Sequence, residues 1–133
     1  MTYLLVAAGG ALGSMARYGL AEWLDGDHHG ALPWGTFGVN LLGSLAIGLI
    51  AGWGMASQRL GLGLGLSDEA RLFLMVGFCG GFTTFSSFSL QVFALLRDGF
   101  LLRAGGYALA SMLLCVIATS LGWLLAQGLT SRA

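Results

Sequence analysis

The residues best placed to do chemistry lie in one stretch, residues 77–89, which reads GFCGGFTTFSSFS. Three glycines are followed by five hydroxyl side chains, with four phenylalanines interspersed among them. Each glycine costs a helix roughly 1 kcal/mol relative to alanine. An opened backbone at membrane depth is tolerated only inside protein or along a water-filled cavity. The stretch therefore predicts a helix that is broken in mid-membrane and that leaves carbonyl oxygens without helical partners.

Two further sets of polar side chains fall within apolar segments. Asn40 is an amide about two turns into its segment, where an unpaired polar group would be costly. The residues alone leave open whether it makes an interhelical hydrogen bond or donates to an ion. The last segment carries polar or polarisable residues at four-residue spacing, which aligns them on one helix face. These residues are Tyr107, Ser111, Cys115 and Thr119, and the stripe predicts a face toward another helix or toward water.

Arg17 lies near the end of the first apolar segment. Long basic side chains often extend their charge to the membrane interface. A fixed place in a vestibule or in a network that anchors a loop is an equally open interpretation of Arg17. The two cysteines, Cys79 and Cys115, fall within apolar segments and predict buried free thiols.

Composition indicates which elements must position these residues. Of the 133 residues, 56% are hydrophobic and 9% are charged, whereas a soluble domain has about 25% charged residues. A spanning helix needs about 20 mostly apolar residues, and four segments qualify: residues 3–23, 34–56, 70–96 and 104–127. The sequence predicts an all-α integral membrane protein, with residues 1–133 forming a single four-helix transmembrane domain. Its net charge of zero and its lack of a basic patch exclude nucleic acid as a partner.

The distribution of arginine predicts how the chain inserts. An even number of spans puts both termini on the side of the second loop. Arg59, Arg71 and Arg132 then lie on that side, and Arg17, Arg97 and Arg103 lie on the other. Because an excess of positive charge on one side fixes orientation, this balanced chain can insert both ways. Two oppositely inserted copies could meet about a two-fold axis in the membrane plane, so we expect an antiparallel homodimer of dual topology.

These motifs resemble those of the Fluc/CrcB fluoride channel family of bacteria and archaea. The resemblance rests on residues 10–18, on Gly35-Thr36 followed by Val39-Asn40 and Gly43, and above all on residues 77–88. It extends across all four spans. The resemblance implies a fluoride-selective channel of the cell membrane, built as an antiparallel homodimer with two pathways. Such a channel would export fluoride passively and lower its concentration in the cytoplasm.

The resemblance also assigns roles to residues. It implies a structural sodium ion at the dimer centre, held by the backbone carbonyls of Gly80 and Thr83. The pathway residues that it implies are Asn40, Phe85, Phe88, Tyr107, Ser111 and Thr119. Thr84 and Ser86 join this set as hydroxyl donors from the same stretch. Cys115 stands in the polar track with a thiol, which is a weaker donor than a hydroxyl, so its part in the track is open.

The residue chemistry is consistent with these roles. Carbonyl oxygens suit a hard monovalent cation and not a transition metal. A small, strongly hydrated anion needs donors that replace its water, and hydroxyls, the Asn40 amide and the positive edges of aromatic rings can supply them. Conduction also needs weak, multiple sites, and no lysine or arginine lies in the middle of a predicted span.

Other classes fit the residues less well. A small-multidrug-type proton-coupled exporter is the main alternative, since it is also a short four-span chain that can insert both ways. Such a protein needs an acid inside the first helix to carry protons, and here Glu22 lies at the end of that segment. A membrane subunit that only packs would not need Asn40 and the hydroxyl run together. An enzyme is disfavoured because no nucleophile–base pair or metal-ligand cluster is visible.

Overall fold

The structure, a computed structural model, describes residues 1–26, 32–59 and 66–130. These residues form the helices α1 (Thr2–Asp25), α2 (Trp34–Arg59), α3 (Asp68–Arg71), a π-helical segment (Leu72–Cys79), α4 (Gly80–Phe82), α5 (Phe85–Arg97) and α6 (Leu101–Thr130). Four stretches are long and apolar enough to cross a membrane: Thr2–Asp25, Trp34–Gln58, Asp68–Arg97 and Leu101–Leu129. The predicted all-α fold with four spans is thereby confirmed. Arg132 lies outside the described residues.

The first and third spans pack together through glycines. Gly9 and Gly13 are buried on α1, and a Cβ added to either would overlap a backbone carbonyl of the third span, that of Phe73 or of Phe78 respectively. Gly81 faces the backbone of Gly10 in the same way. Small residues at four-residue spacing let two membrane helices approach closely, so these glycines set the position of the third span against α1.

The second and fourth spans form a second close pair. A Cβ on Gly48 would overlap the carbonyl of Thr119, and a Cβ on Gly52 would lie 2.6 Å from the carbonyl of Trp123. From the other side, Gly122 of α6 sits against the backbone of Leu45. The fold is thus two glycine-packed helix pairs, and the third span also contacts α6 directly through α5.

The third span is interrupted, as predicted, but the interruption lies after the glycines. Gly80 is helical, with φ −64° and ψ −38°. Thr83 and Thr84 are extended, with φ −82° and ψ 156° for Thr83 and φ −148° and ψ 108° for Thr84. Branching at Cβ favours extended backbone, whereas Gly77 and Gly81 serve close packing against α1. The break is therefore formed by the two threonines.

The π-helical segment before the break is not predicted by the sequence pattern. It covers eight residues, Leu72–Cys79, although π-helical turns mostly occur singly within α-helices and often mark functional sites. Ser67 starts the span by accepting a hydrogen bond from the Ala70 N–H at 3.2 Å, with Asp68 and Glu69 in the first turn. The π-helical segment ends at Cys79, and the single turn α4 then leads into the break.

Candidate functional site

The break leaves specific carbonyls without their helical donors. The Thr84 N–H, which would bond the Gly80 carbonyl in a continuous helix, donates instead to Asn40 Oδ1 at 2.7 Å. The Ser87 N–H, which would bond the Thr83 carbonyl, donates to Thr84 Oγ1 at 3.2 Å. The carbonyl oxygens of Gly80 and Thr83 are thus available to another partner.

The carbonyl of Gly81 lies between these two and has partners of its own. Arg17 Nε donates to it at 3.3 Å, and Ser14 Oγ donates to it at 3.4 Å. Arg17 therefore reaches the break from α1 through its Nε. A guanidinium held there supplies a charge-assisted hydrogen bond, which is stronger than one between neutral groups.

Asn40 uses both ends of its amide on one residue of the break. Its Oδ1 accepts from the Thr84 N–H, and its Nδ2 donates to the Thr84 carbonyl at 3.1 Å. The sequence left open whether this amide bonds to another helix, and the structure shows that it does, through two hydrogen bonds to Thr84. Of the two N–H groups on Nδ2, this pair uses one, and Asn40 also lines a cavity.

That cavity, of about 320 Å³, lies beside the break. It is lined by Asn40, Gly43, Ser44, Ile47, Met75, Cys79, Gly80, Thr83, Phe85, Phe88, Ser111, Met112 and Cys115. The described residues that line it include no charged side chain. The cavity therefore joins the break in the third span to α2 and α6, and it brings together Asn40, Phe85, Phe88 and Ser111 as predicted site residues.

Aromatic rings form a row along one wall of this region. The centroids of Phe85 and Phe88 are 5.4 Å apart, with the rings tilted by 44°. Phe88 continues to Tyr107 at 5.5 Å. Phe85 is 76% exposed, whereas Phe88 is buried. The edges of such rings are positively polarised, so the row offers weak anion contacts that carry no formal charge.

Ser111 is a residue of the cavity wall whose hydroxyl is buried. Its side chain is 5% exposed, and its hydroxyl makes no hydrogen bond of standard geometry within the described part of the chain, although it lies near the Tyr107 hydroxyl. Buried polar groups are nearly always hydrogen-bonded, and an exception calls for an explanation such as an ion or a water. An unpaired hydroxyl in the wall of a cavity is the arrangement that a small anion would use.

The other predicted pathway hydroxyls are engaged locally. Thr84 Oγ1 donates to Ser87 Oγ at 3.0 Å and lies 3.3 Å from Ser86 Oγ. Thr119 Oγ1 donates to the Cys115 carbonyl at 3.0 Å. Among the residues described, Thr84, Ser86 and Thr119 are not in the cavity wall. Of the stripe on α6, Ser111 and Cys115 line the cavity.

Tyr107 belongs to a hydrogen-bonded chain at the end of the aromatic row. Its hydroxyl donates to Gln91 Oε1 at 3.0 Å, and Gln91 Nε2 donates to Thr36 Oγ1 at 2.8 Å. Gln91 was missed by the sequence reasoning. An uncharged amide three residues after Phe88, in an apolar helix, is the signal that would have found it. The chain links α2, α5 and α6 beside the cavity.

Both cysteines are free thiols, as predicted, but they differ in burial. Cys79 is 2% exposed, whereas Cys115 is half-buried in the cavity wall. In the described residues, no group of three or more histidine, cysteine, aspartate or glutamate side chains could hold a metal ion.

The fold and this site define a class of protein: a small multi-pass protein of the cell membrane, with a broken span and an uncharged, donor-bearing cavity beside the break. The family described as CrcB-like protein, Camphor Resistance (CrcB), matches residues 4–123. The chain belongs to this family.

Curated relatives match nearly the whole chain. A protein of Thermus thermophilus named Fluoride-specific ion channel FluC is 50% identical over 127 residues, which cover 96% of this chain and 94% of that protein. Proteins with the same name from Opitutus terrae and Hyphomonas neptunium are 48% and 50% identical, and their alignments cover 97% and 94% of this chain. The alignments cover 95% and 94% of those two proteins.

Proposed function

We propose that this chain is the subunit of a fluoride-selective ion channel, which lets fluoride leave the cell down its own gradient. The names of the relatives support the ion and the channel class, and the near-complete alignment supports their transfer to this chain. The structural observation that carries the proposal is the unpaired Ser111 hydroxyl in a cavity beside Phe85 and Phe88. The protein is then a channel and not an enzyme.

The cavity offers fluoride weak contacts, which suit conduction better than tight binding. Fluoride is strongly hydrated, so its water must be replaced by donors such as the Ser111 hydroxyl and the free N–H of Asn40 Nδ2. Ring edges of Phe85 and Phe88 extend the row of weak contacts. Conduction requires binding that is weak enough to release the ion, and an uncharged wall meets that requirement. A narrow slot lined in this way should exclude the larger chloride ion.

Two copies of the chain are needed to close this pathway. Phe85 lines the cavity but is 76% exposed in a single copy, and Gly80 is exposed beside it. An antiparallel partner, permitted by the balanced arginines, would cover this flank and supply the same residues in reverse. We therefore propose an antiparallel homodimer with two equivalent fluoride pathways.

We propose that a structural sodium ion lies between the two copies. The carbonyl oxygens of Gly80 and Thr83 have lost their helical donors, because the Thr84 and Ser87 N–H groups bond elsewhere. Two copies would present four such oxygens, which repel one another unless a cation separates them. Carbonyl oxygens are ligands for hard cations. Such an ion would be structural, and its charge would favour anions in the adjacent cavities.

The test is ion efflux from liposomes that contain the purified protein, with fluoride and chloride electrodes read in parallel. We expect rapid fluoride efflux, a chloride signal near that of empty liposomes, and no requirement for a proton gradient. Fluoride retention, or chloride efflux at a comparable rate, would refute the proposal.

The proton-coupled exporter is disfavoured by the position of the acids. The carboxylates in the described residues are Glu22, Asp25, Asp68, Glu69 and Asp98, and each lies at or near a helix end. Asp25, for example, caps α2 by accepting from the Gly35 N–H at 2.6 Å. A proton relay needs an acid within the membrane. Efflux that responds to the fluoride gradient alone would exclude this alternative.

A further inference from the structure

We propose that Asn40 is a positioning residue for the cation site: by holding Thr84, it determines that the Gly80 and Thr83 carbonyls are the ones left free. This inference rests on the sodium ion of the proposed function. It goes beyond that function because it gives Asn40 a task in building the cation site, in addition to donating to an anion.

The geometry of the pair is the first step. Thr84 is extended, and both of its main-chain polar groups are bonded to the one amide of Asn40, at 2.7 and 3.1 Å. The amide therefore pairs with Thr84 as a neighbouring β-strand would pair with it. Because a donor and an acceptor are both required, the orientation of the amide is fixed by its partners.

The second step is the competition for the Thr84 N–H. In a helix that ran on through the threonines, this N–H would bond the Gly80 carbonyl, four residues earlier. Asn40 Oδ1 takes the donor away. The Gly80 carbonyl then has no helical partner, and the chain cannot continue as a helix at this point. An apolar residue at position 40 would return the donor to Gly80.

The third step is that other oxygens of the break are already used. The Gly81 carbonyl accepts from Ser14 and Arg17 of α1, and the Thr84 carbonyl accepts from Asn40 of α2. Interactions from α1 and α2 thus occupy these two carbonyls and leave those of Gly80 and Thr83 without a side-chain donor from either helix. This division between bonded and free carbonyls explains why residue 40, which contacts the break and lines the anion cavity, is an amide.

The same residue therefore couples the two sites. A change at Asn40 should alter cation binding and fluoride passage together. A change at Ser111 should alter fluoride passage alone, because Ser111 lines the cavity but makes no hydrogen bond to the break in the described part of the chain. This contrast gives the experiment its matched control.

The experiment titrates sodium against dimer assembly of the full chain in detergent, with choline as the replacement cation, and records fluoride efflux from the same preparations. The variants are Asn40→Leu, Asn40→Asp and Ser111→Ala. We expect Asn40→Leu to raise the sodium concentration at half-assembly by about tenfold, the effect of losing a buried hydrogen bond and its acceptor. Ser111→Ala should slow efflux and leave the half-assembly concentration unchanged.

Asn40→Asp keeps the inference testable if Asn40→Leu does not assemble. A neutral aspartic acid still offers an oxygen to the Thr84 N–H and an O–H to the Thr84 carbonyl. The half-assembly concentration, measured at a pH that keeps this acid neutral, should therefore stay within about threefold of the unsubstituted protein, while efflux falls. A tenfold rise in Asn40→Asp, or an equal rise in Ser111→Ala, would overturn the positioning role.

The outcomes separate this inference from the function on which it rests. If the unsubstituted dimer assembles independently of sodium, the cation of the proposed function is wrong and the inference falls with it. If assembly depends on sodium but Asn40→Leu leaves the half-assembly concentration within about threefold, the inference alone is wrong, and Asn40 acts only on the anion.

Discussion

The hydroxyl side chains around the cavity differ in whether they already make hydrogen bonds within the protein. The Ser111 hydroxyl is unpaired in the described residues, whereas Thr119 is bonded to its own helix and Thr84 caps α5. Serine and threonine in helices often bond the carbonyl four residues earlier. Each residue's contribution to an anion path therefore depends on its hydrogen bonds and not on its type.

Replacing Phe85 with isoleucine tests the aromatic wall. The side chain lines the cavity and is 5.4 Å from Phe88, centroid to centroid. Isoleucine retains apolar volume but has no polarised ring edge, so we expect fluoride efflux to fall by at least about tenfold while the dimer remains assembled. The matched control is Phe93→Ile, on the same helix and 60% exposed, which should retain efflux. Unchanged efflux in Phe85→Ile would contradict an aromatic anion path.

The two thiols should respond differently to silver ions. Cys115 is half-buried in the cavity wall, whereas Cys79 is 2% exposed. Silver replaces the thiol proton and forms a neutral silver thiolate, whose added metal atom would obstruct the pathway. We expect silver nitrate to block fluoride efflux in the unsubstituted protein and in Cys79→Ser, each compared with its own rate before silver. Cys115→Ser should be resistant, and a block that persists in Cys115→Ser would exclude Cys115 as a cavity residue.

At the scale of residues, the spacing of polar residues predicted which side chains share a helix face but not which hydrogen bonds they make. Four-residue spacing correctly placed Ser111 and Cys115 on one face of α6. It could not show that Thr119 bonds to its own backbone, because that choice depends on a rotamer. It also left the role of Asn40 open, since the partner on Thr84 is 44 residues away in the chain and becomes visible only in the fold.

At the scale of elements, glycine has two distinct uses in this chain. Gly13 packs so closely that any Cβ would overlap the Phe78 carbonyl, whereas Gly19 on the same helix has open space around it. Close packing at Gly13 fixes the position of the third span, whereas Gly19 does not constrain the packing of any helix. The two glycines therefore predict opposite effects of the same substitution.

Gly13→Ala should destabilise the fold by roughly 1–3 kcal/mol, the usual cost of forcing an extra carbon into a packed site. Gly19→Ala, the control in the same helix, should be neutral or stabilise it by up to about 1 kcal/mol, since alanine favours a helix. Unfolding in mixed detergent micelles, followed by circular dichroism, measures both. Equal stability of the two variants would contradict the close packing of α1 on the third span.

The elements were predicted in number and type but not in detail. Long apolar segments define the four spans, because hydrocarbon thickness sets their length. The π-helical segment and the exact place of the break were not predictable from local preference. Gly80 is helical and Thr83 is extended, next to residues with tertiary contacts: α1 packs against Gly77 and Gly81, and Asn40 bonds Thr84.

At the scale of the whole molecule, the balance of arginines remains a prediction about insertion. A cysteine engineered at the exposed Phe100, in a background without other cysteines, should be labelled by an impermeant reagent from both sides of the membrane. Labelling from a single side would exclude the antiparallel dimer. As a control, lysine at Leu101 and Leu102, next to the engineered cysteine, should bias the chain toward one orientation and so reduce labelling from the other side.

The exposed flank of the cavity has a consequence for biogenesis. A newly inserted copy would contain only an open groove beside Phe85, which is 76% exposed, and lipid would fill that groove. In the antiparallel dimer that we propose, a continuous conduit would form only when a copy of the opposite orientation arrived. Unpaired chains would then be harmless to the ion gradients of the cell, and expression could begin without the toxicity of an unregulated pore.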